Sequence, residues 1–372
     1  MKIGILTLPL HTNYGGILQA YALQTVLERM GHEPVHFNKS QKIPLIRARL
    51  LISIPARIIM KYVLRKKDVR VLAEKYYNEV YDIISKNTQQ FIDQYVKTRV
   101  IRSFSDIKDF EYDAFIVGSD QVWRPKYFMS IEDAYLKFAA KWECKRIAYA
   151  ASFGTDIWEY TEKQTNECKS LIKKFDAVSV REDSGVKLVD MQFNVKAIRV
   201  LDPTMLLSSE DYNALASTND EQGQPYLLVY ILDMTKEKKE IIEQISKKCQ
   251  LKIRYNSSLV ENSRASINER IQIPVGDWIC NFKNASYVFT DSYHATVFSL
   301  IYNKPFLIYG NKKRGLSRFK TILDITGLQD RLFLDSSDFS QSKIDMNVNW
   351  DIINKKIEIE KRKSLDFLKY NL

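Results

Sequence analysis

Short β-branched and aromatic runs recur along this chain, each followed by a polar loop and then by a segment with helical spacing. They stand at 3–8, 114–118, 146–151, 177–181 and 197–201, and again at 226–231, 251–255, 287–290 and 306–309. After the first run, Ala20, Leu23, Leu27 and Met30 recur at intervals of three and four, and Gly31 offers a C-cap. Such alternation predicts an α/β fold with parallel sheets, because a parallel connection needs a crossover helix. A polar stretch from Ser208 to Gln224 interrupts the pattern. The expected division is therefore an α/β domain over 1–207, a second over 225–345 and a C-terminal helix over 346–372. Two Rossmann-like domains would face each other across a cleft, with their functional loops at the carboxyl ends of the strands. The loops after 3–8, 114–118, 177–181 and 287–290 are expected to meet there.

Charge and cysteine usage narrow the function classes. The net charge of +11 points to an anionic partner, and its densest stretch is 42–67, with eight Lys or Arg, no acid and many interleaved aliphatic residues. That stretch opens an expected helical excursion over 42–100. It reads either as an interfacial segment on an anionic membrane or as a solvated basic face over packed helices. Nucleic acid is not an expected partner, since no zinc finger, RNP pattern or helix-turn-helix signal is present. Cys144, Cys168, Cys249 and Cys280 are widely spaced, and His11, His32, His36 and His294 form no helical ligand pair, so neither disulfides nor a metal is expected. Met1-Lys2 leads directly into a strand-like run, which together with the lack of an apolar run of spanning length predicts a cytoplasmic protein.

Four loop motifs carry the candidate chemistry. In the first, Asn13, Tyr14, Gly15, Gly16 and Gln19 open a helix; the paired glycines allow either close approach to a ligand or a tight strand-to-helix turn. The segment matches neither GxGxxG nor GxxxxGK[ST], so no nucleotide cofactor is expected. In the second, a strand ends in Gly118-Ser119-Asp120-Gln121-Val122-Trp123. Asp120 and Gln121 could pair with sugar hydroxyls and Trp123 could stack on a pyranose, or the same residues could cap a helix and fill the core. In the third, Arg181 follows a strand, where it either grips a carboxylate or phosphate or pairs with Glu182 or Asp183. In the fourth, Thr290-Asp291-Ser292-Tyr293-His294-Ala295 ends a strand and opens an apolar helix, with Asp291 or Ser292 as a cap. Its free amides and helix dipole make an anion site beside His294, unless the imidazole merely packs the junction.

Together these segments, with Asp202-Pro203-Thr204, resemble the polysaccharide pyruvyl transferase family in order and spacing over most of residues 1–330. The resemblance implies a GT-B-like fold and a transferase that moves the enolpyruvyl group of phosphoenolpyruvate onto a saccharide as a pyruvate ketal. It implies that Arg181 and His294, with Ser292 and Tyr293, belong to the donor site. The first-domain residues Asn13, Tyr14, Gly15, Gly16, Gln19, Asp120, Gln121 and Trp123 then face the acceptor. Phosphoenolpyruvate would be a co-substrate, with no cofactor or metal. His294 is the expected proton donor and Asp120 the expected base. Many members of the family have arginine where this chain has Ser292, so the phosphate contact is expected from the basic loop, through Lys313, Arg314 or Arg318. Acceptors in such pathways are commonly lipid-linked precursors of capsular or exopolysaccharide, which would suit a protein at the inner membrane face. The alternatives are a nucleotide-sugar-dependent glycosyltransferase of the same fold and a non-catalytic saccharide-binding protein.

Overall fold

Parallel strands must be covered on both faces, and the central strands here meet that demand: Ala114–Val117 and Tyr287–Thr290 are buried at every position. The computed structural model describes residues 1–39, 48–66, 69–128, 130–218, 224–260, 262, 265–312, 314–344 and 347–372. Seven strands form the first sheet: β1 (Lys2–Leu6), β2 (Glu33–Lys39), β3 (Thr98–Ile101), β4 (Ala114–Val117), β5 (Lys145–Ala151), β6 (Ala177–Val180) and β7 (Ile198–Arg199). Five form the second: β8 (Tyr226–Tyr230), β9 (Lys252–Tyr255), β10 (Tyr287–Thr290), β11 (Phe306–Tyr309) and β12 (Leu332–Phe333). The spatial orders are β3-β2-β1-β4-β5-β6-β7 and β12-β11-β10-β8-β9, and every pairing is parallel. The α/β architecture of two Rossmann-like units is the one expected.

Each sheet has one topological switch point, where neighbouring strands send their chains in opposite directions: between β1 and β4 in the first, between β8 and β10 in the second. Crevices form there because the connecting helices leave on opposite faces. The helix Tyr14–Arg29 begins at the first crevice, its N-terminus held by Asn13, whose side-chain oxygen accepts from the amides of Gly15 and Gly16. The helix Tyr293–Ile301 begins at the second.

Three strands escape sequence reading. In β2, Pro34, His36 and Asn38 break the apolar run, yet His36 is fully buried with Nε2 3.0 Å from the Ala20 carbonyl oxygen, and burial pushes its pKa down to about 4. β3 closes the excursion that was expected to be helical through residue 100. β12 has only two residues. Between β2 and β3 the chain forms the helices Ala48–Ile58, Ala73–Ile84 and Lys86–Tyr95, with a π-turn at Ile59–Val63. Part of the basic 42–67 stretch lies outside the described residues.

The two sheets are locked together by side chains that cross between them. Tyr14 stacks on Trp278 of the helix Val275–Asn284 at 5.3 Å and donates to the Ile273 carbonyl at 2.9 Å. Gln272 donates to the Thr12 carbonyl at 2.6 Å. The final helix, Trp350–Asn371, returns to the first sheet, where Ser364 accepts from the Leu201 amide and Glu360 pairs with Arg199.

Candidate active site

The two switch points face each other, and the cleft between them holds about 240 Å³. From the first unit it is lined by Leu8, His11, Thr12, Asn13, Asp120, Gln121 and Tyr127, and from the second by residues of the segments that follow β8, β9, β10 and β11.

At its floor lies a buried ionic network. Arg181, at the end of β6, contacts Asp202 through Nη1 and lies 3.3 Å from Asp120 through Nη2. All three side chains are nearly inaccessible to water. Asp202 is further held on Oδ1 by the Thr204 amide and hydroxyl at 3.0 and 2.6 Å. Burial alone would push its carboxyl up; Arg181, His294 and Thr204 outweigh that and hold it far below the usual carboxylate range. Asp120 is lowered in the same way, burial being outweighed by Arg181, His294 and Arg318. Its backbone has φ 69°, a left-handed conformation that aspartate tolerates better than most residues.

His294, in the first turn of its helix, brings Nε2 to 3.6 Å from Asp202 Oδ2, and that nitrogen has no hydrogen-bond partner among the described residues. The other side of the ring rests on Gly15. A Cβ at that position would drive into the imidazole, so the close approach that this glycine permits is to His294 rather than to a ligand. Gly16 makes no such approach.

Two guanidinium groups flank the Tyr293 ring, Arg181 at 4.8 Å and Arg318 at 5.4 Å. Arg318 is buried, donates from Nη2 to the Arg314 carbonyl at 3.1 Å, forms no ion pair among the described residues, and leaves Nε without a partner. Burial and the neighbouring Arg181 push it below the usual arginine value, with Asp120, Glu182 and Tyr293 offsetting only part of this. Arg314 differs: its guanidinium is paired with Asp233 at 2.8 Å. Lys313 lies outside the described residues, and Lys312 is exposed.

Several sequence readings need correction. Trp123 cannot stack on a sugar, because it is fully buried, stacked on Tyr135 at 4.9 Å and donating to the Ala134 carbonyl. Tyr14 and Gln19 are also buried. Gln19 spends both ends of its amide on Thr7, Gly16 and the Ser119 amide, joining the first two loops rather than facing the cleft. Neither Asp291 nor Ser292 caps the helix through its side chain. Asp291 instead accepts from the Leu232 and Asp233 amides and from Lys238, tying β10 to the loop after β8. Arg181 pairs with neither Glu182 nor Asp183; Glu182 holds Ser152 and the amides of Phe153 and Gly154. Asn13, Asp120, Gln121, Ser292, Tyr293, His294, Arg314 and Arg318 do line the cleft.

Asp202 and Gln272 were not singled out for the site from sequence. A signal for Asp202 existed in the Asp202-Pro203-Thr204 segment, and the structure supplies the reason it reaches the site: β6 and β7 are neighbours with Val180 opposite Arg199, so parallel register brings the residues just beyond their ends together. No local pattern marks Gln272.

Comparison with known proteins agrees with this architecture. Residues 13–313 match the family described as Polysaccharide pyruvyl transferase. No curated protein matches the sequence. Among solved structures, Arabidopsis thaliana UGT89C1 complexed with UDP-L-rhamnose has a TM-score of 0.53 at 9% identity, covering 98% of this chain and 97% of that one. S. aureus MnaA in complex with UDP has a TM-score of 0.50 at 12% identity, covering 99% and 96%. At such identities the likeness concerns the fold, which is GT-B-like.

Removing the acid from the buried pair should be costly, because a buried arginine loses its main counter-charge. Asp202→Asn is expected to lower stability by about 3–5 kcal/mol in urea titrations at pH 7. Asp202 has a depressed folded-state pKa, so its contribution is complete above the unfolded value of about 3.9 and is lost as pH falls. The gap between the wild type and the variant should therefore narrow only below about pH 4. A pH 7 difference under about 1 kcal/mol would contradict the account.

Proposed function

The chain belongs to the polysaccharide pyruvyl transferase family, and from that premise we propose that it transfers the enolpyruvyl group of phosphoenolpyruvate to a saccharide diol, releasing phosphate and forming a cyclic ketal. The observation that carries this reading is Arg318, a buried cation that forms no ion pair among the described residues and that lines the cleft with His294 and the amino end of the helix Tyr293–Ile301. A buried charge of this kind calls for an anion, and the donor brings both a phosphate and a carboxylate. Helix amides and dipole add to the attraction.

In this reading His294 delivers a proton to the donor methylene, which becomes the methyl group as positive charge develops at C2. A sugar hydroxyl bonds to C2 and gives up its proton; the C2–oxygen bond to phosphate breaks and phosphate leaves; a second hydroxyl then attacks C2 and closes the ketal. Two hydroxyl protons are released in all, balancing the one taken up by the methylene and the one that leaves with phosphate. Asp120 serves as acceptor of hydroxyl protons. Although Arg181 holds it ionised, a hydroxyl becomes strongly acidic as its oxygen bonds to an electron-poor carbon, so a weak base suffices. Asp202 positions both Arg181 and His294.

A membrane-bound acceptor fits the exposed end of the excursion. From Lys61 to Lys66 every residue is exposed, and Tyr62, Val63 and Leu64 are each more than half accessible between Lys61, Arg65 and Lys66. Aliphatic side chains flanked by cations suit the headgroup boundary of an anionic bilayer, where each cation contributes about 1 kcal/mol. No described helix is long and apolar enough to cross a membrane.

Three measurements test the proposal. With a panel of free and lipid-linked sugars, mass spectrometry should find a product bearing one pyruvyl ketal, and His294→Ala should lower its rate of formation by about 10²–10⁴-fold. Turnover near that of the wild type would remove His294 from the chemistry. In calorimetry, Arg318→Ala should weaken phosphoenolpyruvate binding about 10- to 100-fold, the weight of a charge-assisted hydrogen bond, and more than Arg314→Ala does; unchanged affinity would refute the phosphate site. Finally, the protein should float with phosphatidylglycerol vesicles but not with phosphatidylcholine vesicles, and should lose this when Tyr62, Val63 and Leu64 become serine. No flotation at low salt would sink the membrane contact.

A further inference from the structure

The central cleft holds about 240 Å³, below the roughly 300–1,000 Å³ usual for a ligand-sized pocket. That space suits a three-carbon phosphate but leaves little for a saccharide. The first unit offers no alternative platform through Tyr14, Gln19 or Trp123, all of which are buried. The acceptor must therefore present its hydroxyls at the cleft while its rings lie outside.

A groove of about 1,370 Å³ opens from the cleft over the carboxyl ends of β8 and β9, and the two spaces share Tyr230, Leu232, Val260 and Gln272 as walls. Its lining combines an accessible aromatic ring with hydroxyls and charged side chains. Tyr255, the last residue of the edge strand β9, is 53% exposed, although it stands at the end of a strand in a lobe with many buried tyrosines. The same groove is lined by Ser257, Ser258, Lys239 and Glu269. A half-exposed ring in a groove lined by hydroxyls and charged side chains matches a pyranose, which has one apolar C–H face and an equatorial rim of hydroxyls.

Gln272 stands at the junction. It is almost fully buried, its amide donates to the Thr12 carbonyl at 2.6 Å, and its side-chain oxygen accepts from Ser258 at 2.8 Å and Tyr14 at 3.2 Å. One side chain thus fixes the groove wall, the loop after β1 and the cleft in a single register.

From this geometry we infer that the groove over β8 and β9 is the acceptor subsite, binding the saccharide against Tyr255 with the reacting sugar directed past Gln272 into the cleft. The inference rests on the pyruvyl-transfer reading and moves the acceptor from the first unit to the second.

The test is a saturation-transfer NMR titration of the full chain with methyl gluco-, galacto- and mannopyranosides, in the presence of phosphoenolpyruvate, whose own binding is followed by calorimetry. At least one glycoside should bind the wild type. Tyr255→Ala should weaken it by about tenfold, the scale of one aromatic contact, while Tyr255→Phe retains it. Phosphoenolpyruvate affinity should stay within about twofold in both variants. Glycoside binding undiminished in Tyr255→Ala, or no glycoside bound by the wild type, overturns the subsite while leaving donor binding intact. Failure of the wild type to bind phosphoenolpyruvate, with UDP bound instead, overturns the pyruvyl-transfer reading on which it rests.

Discussion

The contact between Arg181 and Asp202 organises the rest of the site. Moving both ions out of water costs several kcal/mol each, and the pair is tolerable only because its remaining hydrogen-bonding capacity is largely met. Thr204 satisfies one carboxylate oxygen of Asp202, Asp120 takes another edge of the guanidinium, and Tyr293 presents its ring face. Each partner comes from a different loop, so the pair fixes the ends of β4, β6, β7 and β10 relative to one another. His294 inherits its place from this arrangement, facing Asp202 with one nitrogen while its ring lies on Gly15.

Glycine completes the junction where the backbone must come close. Gly15 lets the first turn of one helix rest on the imidazole that opens another. Gly315, at φ 91°, approaches the Gly154 carbonyl so closely that no side chain fits. Both contacts join the first unit to the second. Arg318 is buried in the first turn of the helix Ser317–Thr326 that follows Gly315, and Arg124, itself paired with Glu159 at 2.9 Å, approaches the Arg314 carbonyl at 3.5 Å.

Much of the fold was legible because β4, β8, β10 and β11 are continuous apolar runs, the signature of strands buried on both faces. β2 was not, since the polar His36 reaches full burial by meeting the Ala20 carbonyl of the first helix, a contact in space that the helix's own spacing does not show. At the site, the loops could be recognised from their position after strands, and Arg181, Asp120 and His294 do come together. The direction of each side chain could not be read. Trp123 and Gln121 are two residues apart, yet one fills the core and the other lines the cleft. Arg314 and Arg318 looked equivalent in a basic loop, and only Asp233, which lies after β8, separates them by neutralising the first.

That separation bears on the choice of donor, which the fold leaves open. The second unit contributes two carboxylates beside the cleft, and each has its own cation: Asp291 meets Lys238 at 2.7 Å, and Asp233 meets Arg314. On the first unit, Asp120 and Asp202 share Arg181. Arg318 is thus a buried cation of this cluster with no ion pair among the described residues, and it lines a space of about 240 Å³. A small ligand carrying two anionic groups would be met there by the guanidinium and the helix amides, and that charge balance is what the proposal of a phosphoenolpyruvate donor rests on.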